Sequence, residues 1–351
     1  ELASAVAKRC VRVALAMPTP SSELLESFRQ AGKLADAGWK LTPDLKAELL
    51  AKIRQDGDAK LGEIIYRRKT LQCMNCHSIA GAGGRVGPDL VSIGASAPDD
   101  YLLESIIEPN KKVKENFHST IILDADGQVL SGIIIREDAN EVVIRDQQDK
   151  LLTIAKSDIE ERREGRSLMP DGGVDALTES ELVDLVRFLS ELGEPGKFAV
   201  GTRDLARRWQ YLRATPEAQF RLRRTSYDSV VQEDPAYQWE SAYTQVNGLL
   251  PLDVGEVIPR FPDRAPVVFV RCELQVVRKG LIQFKVNDPA GLTLWVGKQP
   301  IEARSAFSAT LSEGSHMITI AIDTTVRGQA IRLELLAPTT DSGVGQWVTG
   351  K

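Results

Sequence analysis

Apolar residues recur at helical spacing through the first part of the chain, over 1–57. Within "TPDLKAELLAKIRQDG", Thr42 and Pro43 stand where a helix starts, and Gly57 stands where it stops. This stretch therefore predicts a helix with defined ends, and the whole of 1–57 is expected to be helical.

The period of the apolar residues then changes twice. Helical spacing over 58–72 and 98–109 predicts two further helices. Between about 117 and 156 the period becomes two, in four short runs rich in Val, Ile and Leu separated by turn sequences, which predicts a small antiparallel sheet or barrel. Helical spacing returns in "LTESELVDLVRFLSELG", where Thr178 and Glu181 predict a capping box.

The remainder of the chain has two parts. Seven arginines lie between 203 and 224, and we interpret 196–234 as an Arg-rich linker. A packed helix whose arginines extend to solvent and a docking patch for an acidic partner are the alternatives. Short apolar runs separated by Gly, Pro and Asp turns follow over 235–351 and predict a β-sandwich domain. The expected fold class is multidomain α+β.

Composition and charge narrow the classes of function. A chain of 351 residues that is 42% hydrophobic and 26% charged is typical of a globular protein with two or three domains. Its net charge of −5 argues against nucleic acid as the main partner. No run approaches the length of a membrane span. Because the chain lacks an initiator Met, we interpret it as a mature product or as part of something longer.

The stretch "LQCMNCHSIAGAGGRVGPDL" carries the strongest chemical signal. It contains Cys73, Cys76 and His77 in the pattern CxxCH. Two thiols at this spacing serve redox exchange, a zinc site or covalent haem attachment. Redox exchange expects a βαβ context, and zinc expects a second ligand pair, and neither pattern is present. Haem attachment uses the two thiols for thioether bonds and the histidine for the iron, so we predict haem c.

Over 58–195 the chain resembles a c-type cytochrome of the His/Met kind. The matching elements are a helix before CxxCH, "GPDL" after it, a further helix, a Met-Pro loop and a final amphipathic helix. The resemblance implies a mainly helical cytochrome domain with one haem per chain. It also implies that the Pro88 carbonyl accepts a hydrogen bond from Nδ1 of His77, which would fix the tautomer of the iron ligand.

The resemblance implies Met169, in "SLMPDGGVDALT", as the second iron ligand, with His118 as the alternative. The other candidates are weaker by position and comprise Met17, Met74, Met317 and His316. Arg85 is a candidate for binding a haem propionate, or else an exposed loop residue. Leu90 is a candidate for packing against the haem, or else an ordinary core residue.

The inserted β segment at 117–156 is not found in a compact small cytochrome. This arrangement is similar to the haem-binding domain found in Planctomycetes and Verrucomicrobia, which occurs in large secreted proteins after a β-propeller dehydrogenase-like region and helical repeats. The resemblance implies that 1–57 is the end of HEAT-like repeats. It also implies a periplasmic or exported location, and a dehydrogenase or another cytochrome as redox partner.

The last domain resembles carbohydrate-binding β-sandwiches of the PA14 kind. The matching residues are Asp288, Leu294, Trp295, Val296, Gly297, Leu311, Gly314 and His316. Glycan binding is the function this implies, while Trp295 as a core residue and Asp288 as a turn residue are the alternatives. Cys10 and Cys272 are expected to be free thiols.

Electron transfer by a His/Met haem c is the predicted function, which makes the chain a carrier domain more than a catalyst. One alternative is a haem-based sensor or peroxidase with a displaceable sixth ligand. A second is a carbohydrate- or partner-binding module with an accessory cytochrome.

Overall fold

The computed structural model describes residues 2–15, 21–34, 38–262, 264–339 and 342–350. The chain divides into two compact units. The first comprises Glu1–Ile79 and Gly84–Ala199, and the second comprises Ala80–Gly83 and Val200–Lys351. Cys73, Cys76, His77 and Met169, the residues predicted to bind the haem and its iron, belong to the first unit.

The helices of the first unit follow the local sequence signals. They are α1 (Ser4–Leu15), α2 (Ser22–Ala31), α3 (Pro43–Gln55), α4 (Ala59–Tyr66), α5 (Cys73–Cys76), α6 (Ile93–Ser96), α7 (Asp99–Ile107) and α8 (Glu179–Glu191). Thr42 caps α3 by accepting a hydrogen bond from Leu45 N–H, and Thr178 and Glu181 form the predicted capping box of α8. Among the residues described, no helix combines the length and apolarity needed to cross a bilayer.

Helices α4 and α8 lie in direct contact because Gly62 carries no side chain. A Cβ on Gly62 would come within 2.0 Å of the Asp184 carbonyl oxygen and 2.6 Å of Phe188 Cβ. The rings of Tyr66 and Phe188 meet beside this contact, with centroids 5.7 Å apart. Both aromatic side chains are fully buried, so this helix pair forms the apolar centre under the CxxCH segment.

The inserted β segment is an antiparallel five-stranded sheet. The strands before residue 200 are β1 (Ser78–Ile79), β2 (Ala82–Gly83), β3 (His118–Asp124), β4 (Val129–Glu137), β5 (Glu141–Arg145), β6 (Leu151–Ala155) and β7 (Ile159–Ser167). The larger sheet has the order β6-β5-β4-β3-β7 and buries one face around Ile122, Val142, Ile144 and Ile154. It extends eleven residues beyond the predicted end at 156, because β7 is a charged edge strand with no apolar alternation.

The prediction of a mainly helical cytochrome domain is wrong. The described chain is 28% helix and 32% strand, with nine helices and four antiparallel sheets. Between 58 and 195, α5 and α6 are single turns of four residues each, α4 and α7 have eight and nine residues, and α8 has 13. The five-stranded sheet supplies about as many ordered residues as those helices do.

Two antiparallel sheets enclose the main core of the second unit. Its elements after residue 199 are β8 (Asp204–Leu205), β9 (Arg208–Leu212), α9 (Pro216–Arg224), β10 (Trp239–Tyr243), β11 (Val267–Arg278), β12 (Gly280–Val286), β13 (Leu292–Val296), β14 (Gln299–Ile301), β15 (Ala306–Leu311), β16 (Gly314–Asp323), β17 (Leu333–Leu335) and β18 (Val344–Trp347). One sheet has the order β10-β9-β11-β16-β13-β14 with β18 paired to β11, and the other has the order β15-β12-β17-β8. Side chains of both sheets share one core, including Leu274, Ile318, Phe284 and Leu333.

Residues 196–234 differ from the predicted linker. They contain β8, β9 and α9, and Trp209 of β9 is fully buried in the core. Several arginines here have specific partners: Arg207 Nη1 donates to the Val246 carbonyl at 3.0 Å, and Arg221 pairs with Asp234 at 2.7 Å. The alternative of a packed helix that carries arginines describes α9, whose Ala218 and Leu222 are buried, because long cationic side chains can extend to solvent from positions beside a core.

Candidate functional site

The CxxCH motif forms a single helical turn. Cys73 and Cys76 begin and end α5, and His77 N–H donates to the Cys73 carbonyl at 2.8 Å. Residues three apart in a helical turn share a face, so the two thiols lie on one side of the turn. At His77 the backbone becomes extended, with φ −107° and ψ 136°. The imidazole thus leaves the turn immediately after the second thiol.

The His77 ring is held in one tautomer. Its Nδ1 lies 2.9 Å from the Pro88 carbonyl oxygen, which is the hydrogen bond expected from "GPDL". A carbonyl can only accept, so Nδ1 carries the proton and the lone pair is on Nε2. Burial lowers the pKa of His77, and the hydrogen bond to Pro88 only partly offsets this effect. The imidazole is therefore neutral near pH 7, which is the form that binds a metal ion.

The glycines after CxxCH let the chain wrap closely around the turn. Gly84 N–H donates to the Met74 carbonyl at 2.8 Å, and Gly87 N–H donates to the Cys76 carbonyl at 2.7 Å. A Cβ on Gly84 would come within 1.9 Å of the Asn75 carbonyl oxygen, and one on Gly87 within 2.5 Å of the His77 ring. We call 84–88 the wrapping segment, because it contacts both the turn and the imidazole.

Gly87→Ala is expected to displace the His77 ring, because the new methyl group would overlap Cε1, Nδ1 and Nε2. We expect the Nδ1–H resonance of His77 to be lost from the NMR spectrum of the haem-free chain, with a destabilisation of about 2 kcal/mol. Gly201→Ala is the control, since nothing lies within 4 Å of a Cβ there. An unchanged Nδ1–H resonance in Gly87→Ala would contradict the described packing.

The thiols of the motif do not have the character of a redox pair. Cys73 and Cys76 are free, as are Cys10 and Cys272. Burial raises the pKa of Cys73 to about 11, so its thiol stays protonated near neutral pH. Dithiol exchange needs a thiolate and therefore a lowered pKa. The environment of Cys73 weighs against the redox interpretation.

The buried residues around the motif belong to the helical core. Tyr66 Oη donates to the His77 carbonyl at 3.2 Å. Leu90 is buried, and its N–H donates to the Ser78 carbonyl at 2.8 Å. Leu90 is thus fixed close to the motif, as a haem-packing residue requires.

Met169 lies on a separate loop between β7 and α8. Its side chain is half-buried, and its N–H donates to Ser167 Oγ at 3.1 Å. Asn110 holds this loop from outside: its Nδ2 lies 2.9 Å from both carboxylate oxygens of Asp171, and its Oδ1 accepts from Ser167 N–H at 3.0 Å. Asn110 was missed from the sequence, because nothing in its neighbours indicates partners about sixty residues away.

The other candidate iron ligands have different surroundings. His118 is exposed at the start of β3, where its Nδ1 lies 3.0 Å from Glu164 Oε1. Met74 Sδ lies 3.7 Å from Arg67 Nη1, and His316 Nε2 lies 2.7 Å from the Ser312 carbonyl oxygen. Met317 is half-buried in β16, and Met17 lies outside the described residues.

Two arginines lie near the wrapping segment, and only one had been predicted. The Arg85 side chain is exposed, while its N–H donates to Asp149 Oδ2 at 3.1 Å. Asp149 also accepts a hydrogen bond from Nη1 of Arg145, a buried residue at the end of β5. Arg145 is therefore a further residue of this region.

The donor set fits haem attachment. In the part of the chain that the structure describes, no three His, Cys, Asp or Glu side chains are grouped so as to hold a metal ion directly. A haem c requires something else: two thiols on one face of a turn and one neutral imidazole with a free Nε2. The motif provides these, and the contact between Gly87 and the ring fixes the imidazole plane.

The residues that resemble a glycan site have structural surroundings. Trp295 is 1% exposed, and its Nε1 donates to Asp228 Oδ1 at 2.9 Å, so its ring cannot serve as a sugar platform. The Asp288 carbonyl accepts from the buried guanidinium of Arg327 at 2.6 Å, and Asp288 Oδ1 accepts from Ala290 N–H at 3.0 Å. These contacts favour the core and turn roles.

A comparison with protein-family models finds no match, and no curated protein is significantly similar to the chain. The residues of the CxxCH motif and their geometry are therefore the features of this chain that bear on its function.

Proposed function

We propose that this chain binds one haem c covalently through Cys73 and Cys76 and acts in electron transfer. In this proposal His77 and Met169 are the side chains that would bind the haem iron. The observation that carries it is the hydrogen bond from Nδ1 of His77 to the Pro88 carbonyl, directly beside two thiols on one helical turn. An imidazole fixed in this way is typical of a metal ligand supported by its surroundings.

A bound haem supplies one-electron chemistry through its iron. The residues around the motif have three tasks. The α5 turn presents both thiols on one face, the Pro88 carbonyl keeps the proton on Nδ1, and burial keeps the His77 ring neutral. Asn110 and Ser167 hold the backbone of the Met169 loop.

The proposal extends to surroundings and partners. Attachment of haem c takes place outside the cytoplasm in the families that the chain resembles, so the proposed location is periplasmic or exported. The proposed partner is a redox protein, either a dehydrogenase or another cytochrome. Glycan binding by the second unit is not part of this proposal, because Trp295 is buried.

The test is expression in a host that attaches haem c, followed by haem staining of the denatured protein and optical spectra. Wild type is expected to retain haem after denaturation and to show a low-spin spectrum with a weak near-infrared sulfur–iron band. Cys73→Ala/Cys76→Ala should lose all covalent haem. Met169→Ala should retain the haem and lose the near-infrared band.

Met74→Ala and Met317→Ala are the matched controls, since each removes a thioether elsewhere and should leave the band unchanged. A wild-type chain without covalent haem would overturn the proposal. A high-spin spectrum unaffected by Met169→Ala would instead favour the sensor or peroxidase alternative, in which the sixth position is displaceable.

A further inference from the structure

Arg145 occupies an unusual position for a charged residue. It ends β5, where Val142 and Ile144 point into the apolar core of the five-stranded sheet. Side chains alternate along a strand, so Arg145 lies with Val143 on the opposite face. It is nevertheless only 7% exposed. A buried guanidinium requires acceptors for its five N–H groups.

The N–H groups of Arg145 do not all have an acceptor. Nη1 donates to Asp149, whose side chain is itself buried, and the two form an ion pair. Nε is buried and has no hydrogen-bond partner. Leaving a buried charged donor unpaired costs free energy, so such a donor indicates a further acceptor. A guanidinium with one carboxylate already bound is suited to a second anionic oxygen.

Arg145 is connected to the proposed haem site on one side through Asp149. The second carboxylate oxygen of Asp149 accepts from Arg85 N–H at 3.1 Å. Arg85 belongs to the wrapping segment, two residues before the glycine that contacts the His77 ring. The ion pair of Arg145 is thus attached to the segment that positions the imidazole.

Strand pairing in the five-stranded sheet also connects Arg145 to the loop that carries Met169. In the strand register, Arg145 is opposite Ile133 of β4, and Ile133 is opposite Ser119 of β3. Ser119 Oγ donates to the Arg166 carbonyl at 2.5 Å, immediately before the loop that carries Met169. One row across the sheet therefore joins the segments that bear both proposed axial ligands.

We propose that Arg145 binds a propionate carboxylate of the haem through its unpartnered Nε. This inference rests on the proposed function. It makes the inserted sheet part of the haem site and assigns the cationic role to Arg145 instead of Arg85, whose side chain is exposed. A carboxylate bound to a guanidinium stays ionised to lower pH than a free one.

The test measures the reduction potential of the haem-loaded protein as a function of pH. Wild type is expected to show a flat profile through the weakly acidic range. In Arg145→Gln the released propionate should take up a proton as the pH falls, so the potential should rise over that range. Arg136→Gln is the matched control, because it removes one exposed charge from the same sheet and should leave the profile flat.

Asp149 is the titratable group in contact with Arg145, so its own protonation must be separated from that of the haem. Arg145→Gln/Asp149→Asn removes both partners. The rise in potential at low pH should persist in this double variant, because it belongs to the propionate. A rise that disappears in the double variant would assign the titration to Asp149 and overturn the proposal.

Arg145→Lys provides a readout if Arg145→Gln does not fold. It keeps the positive charge but replaces the Nε donor, so the propionate bending band in the resonance Raman spectrum should shift from that of wild type. An unshifted band, or a flat profile in a folded Arg145→Gln, overturns the role of Arg145 while covalent haem remains. Absence of covalent haem in wild type overturns the proposed function instead.

Discussion

Replacing Gly62 by alanine is expected to destabilise the first unit by about 3 kcal/mol, the upper end of the cost of overpacking a core. The reason is the direct contact of α4 with α8. The new Cβ would lie 2.0 Å from the Asp184 carbonyl oxygen, a backbone atom that cannot move without shifting α8. Intrinsic helix propensity favours alanine over glycine, so a large loss would have to come from the helix contact.

Hydrogen exchange of the α8 amides measures this effect in the first unit alone. In Gly62→Ala these amide hydrogens should exchange with solvent far faster than they do in wild type. Gly173→Ala is the control within the same unit, since its new Cβ would meet its nearest neighbour at 3.5 Å, an ordinary contact. Equal exchange in the two variants would show that α4 and α8 are not in contact at Gly62.

Glu181→Ala is expected to lower the free energy of unfolding by about 3 kcal/mol, because it removes one partner of a buried ionic network. The Glu181 carboxylate accepts from Arg68 Nη1 at 2.9 Å, from Arg12 Nη1 at 2.9 Å and from Thr178 N–H at 3.0 Å. The substitution leaves two arginines without their anion and removes half of the capping box. Glu179→Ala on the same helix is the control, and it should have little effect because Glu179 is 45% exposed.

The cost of Glu181→Ala should also depend on pH. Burial by itself raises the pKa of Glu181, but the Thr178 hydrogen bond and the charges of Arg68 and Arg12 outweigh it and lower the pKa below its ordinary value of 4.5. The carboxylate therefore stabilises the folded state fully above that ordinary value, and this contribution is lost as the pH falls through the lowered pKa. In denaturant unfolding, the difference in free energy of unfolding between wild type and Glu181→Ala should become smaller at acidic pH. A difference that stays constant would exclude the ionised carboxylate as its source.

Local signals predicted the starts of α3 and α8 correctly, whereas the helix predicted over 58–72 ends at Tyr66. Thr42 and Thr178 cap their helices because a cap depends on a side chain and an amide only three residues away. The hydrogen bond between His77 and Pro88 was implied by the resemblance to cytochromes of the His/Met kind, and both residues lie within the one short stretch that carries that resemblance. Such contacts depend little on the rest of the fold.

The larger arrangement was harder to predict. β7 contains six charged residues in "IEERREGRS", and its pairing with β3 shows only in the backbone register. Asn110 and Arg145 act on segments about sixty residues away, so their neighbours in sequence contain no signal of either role. The mainly helical domain was expected from the resemblance, whereas the alternation of apolar residues over 117–156 already indicated the sheet except for β7.

The contacts of Trp39 and Lys8 limit how this protein can be divided. Trp39 Nε1 donates to the Val174 carbonyl at 3.1 Å, and Lys8 Nζ donates to the Leu177 carbonyl at 2.9 Å. Both acceptors lie in the short connection between Met169 and α8. A fragment that begins at α5, the turn that carries the CxxCH motif, would lack Trp39 and Lys8. The connection between Met169 and α8 would then lose both hydrogen bonds. The smallest module that can be moved intact therefore includes the amino-terminal helices, and a fusion or recombination event that separates them from the rest would deliver the CxxCH motif without support for the connection that follows Met169.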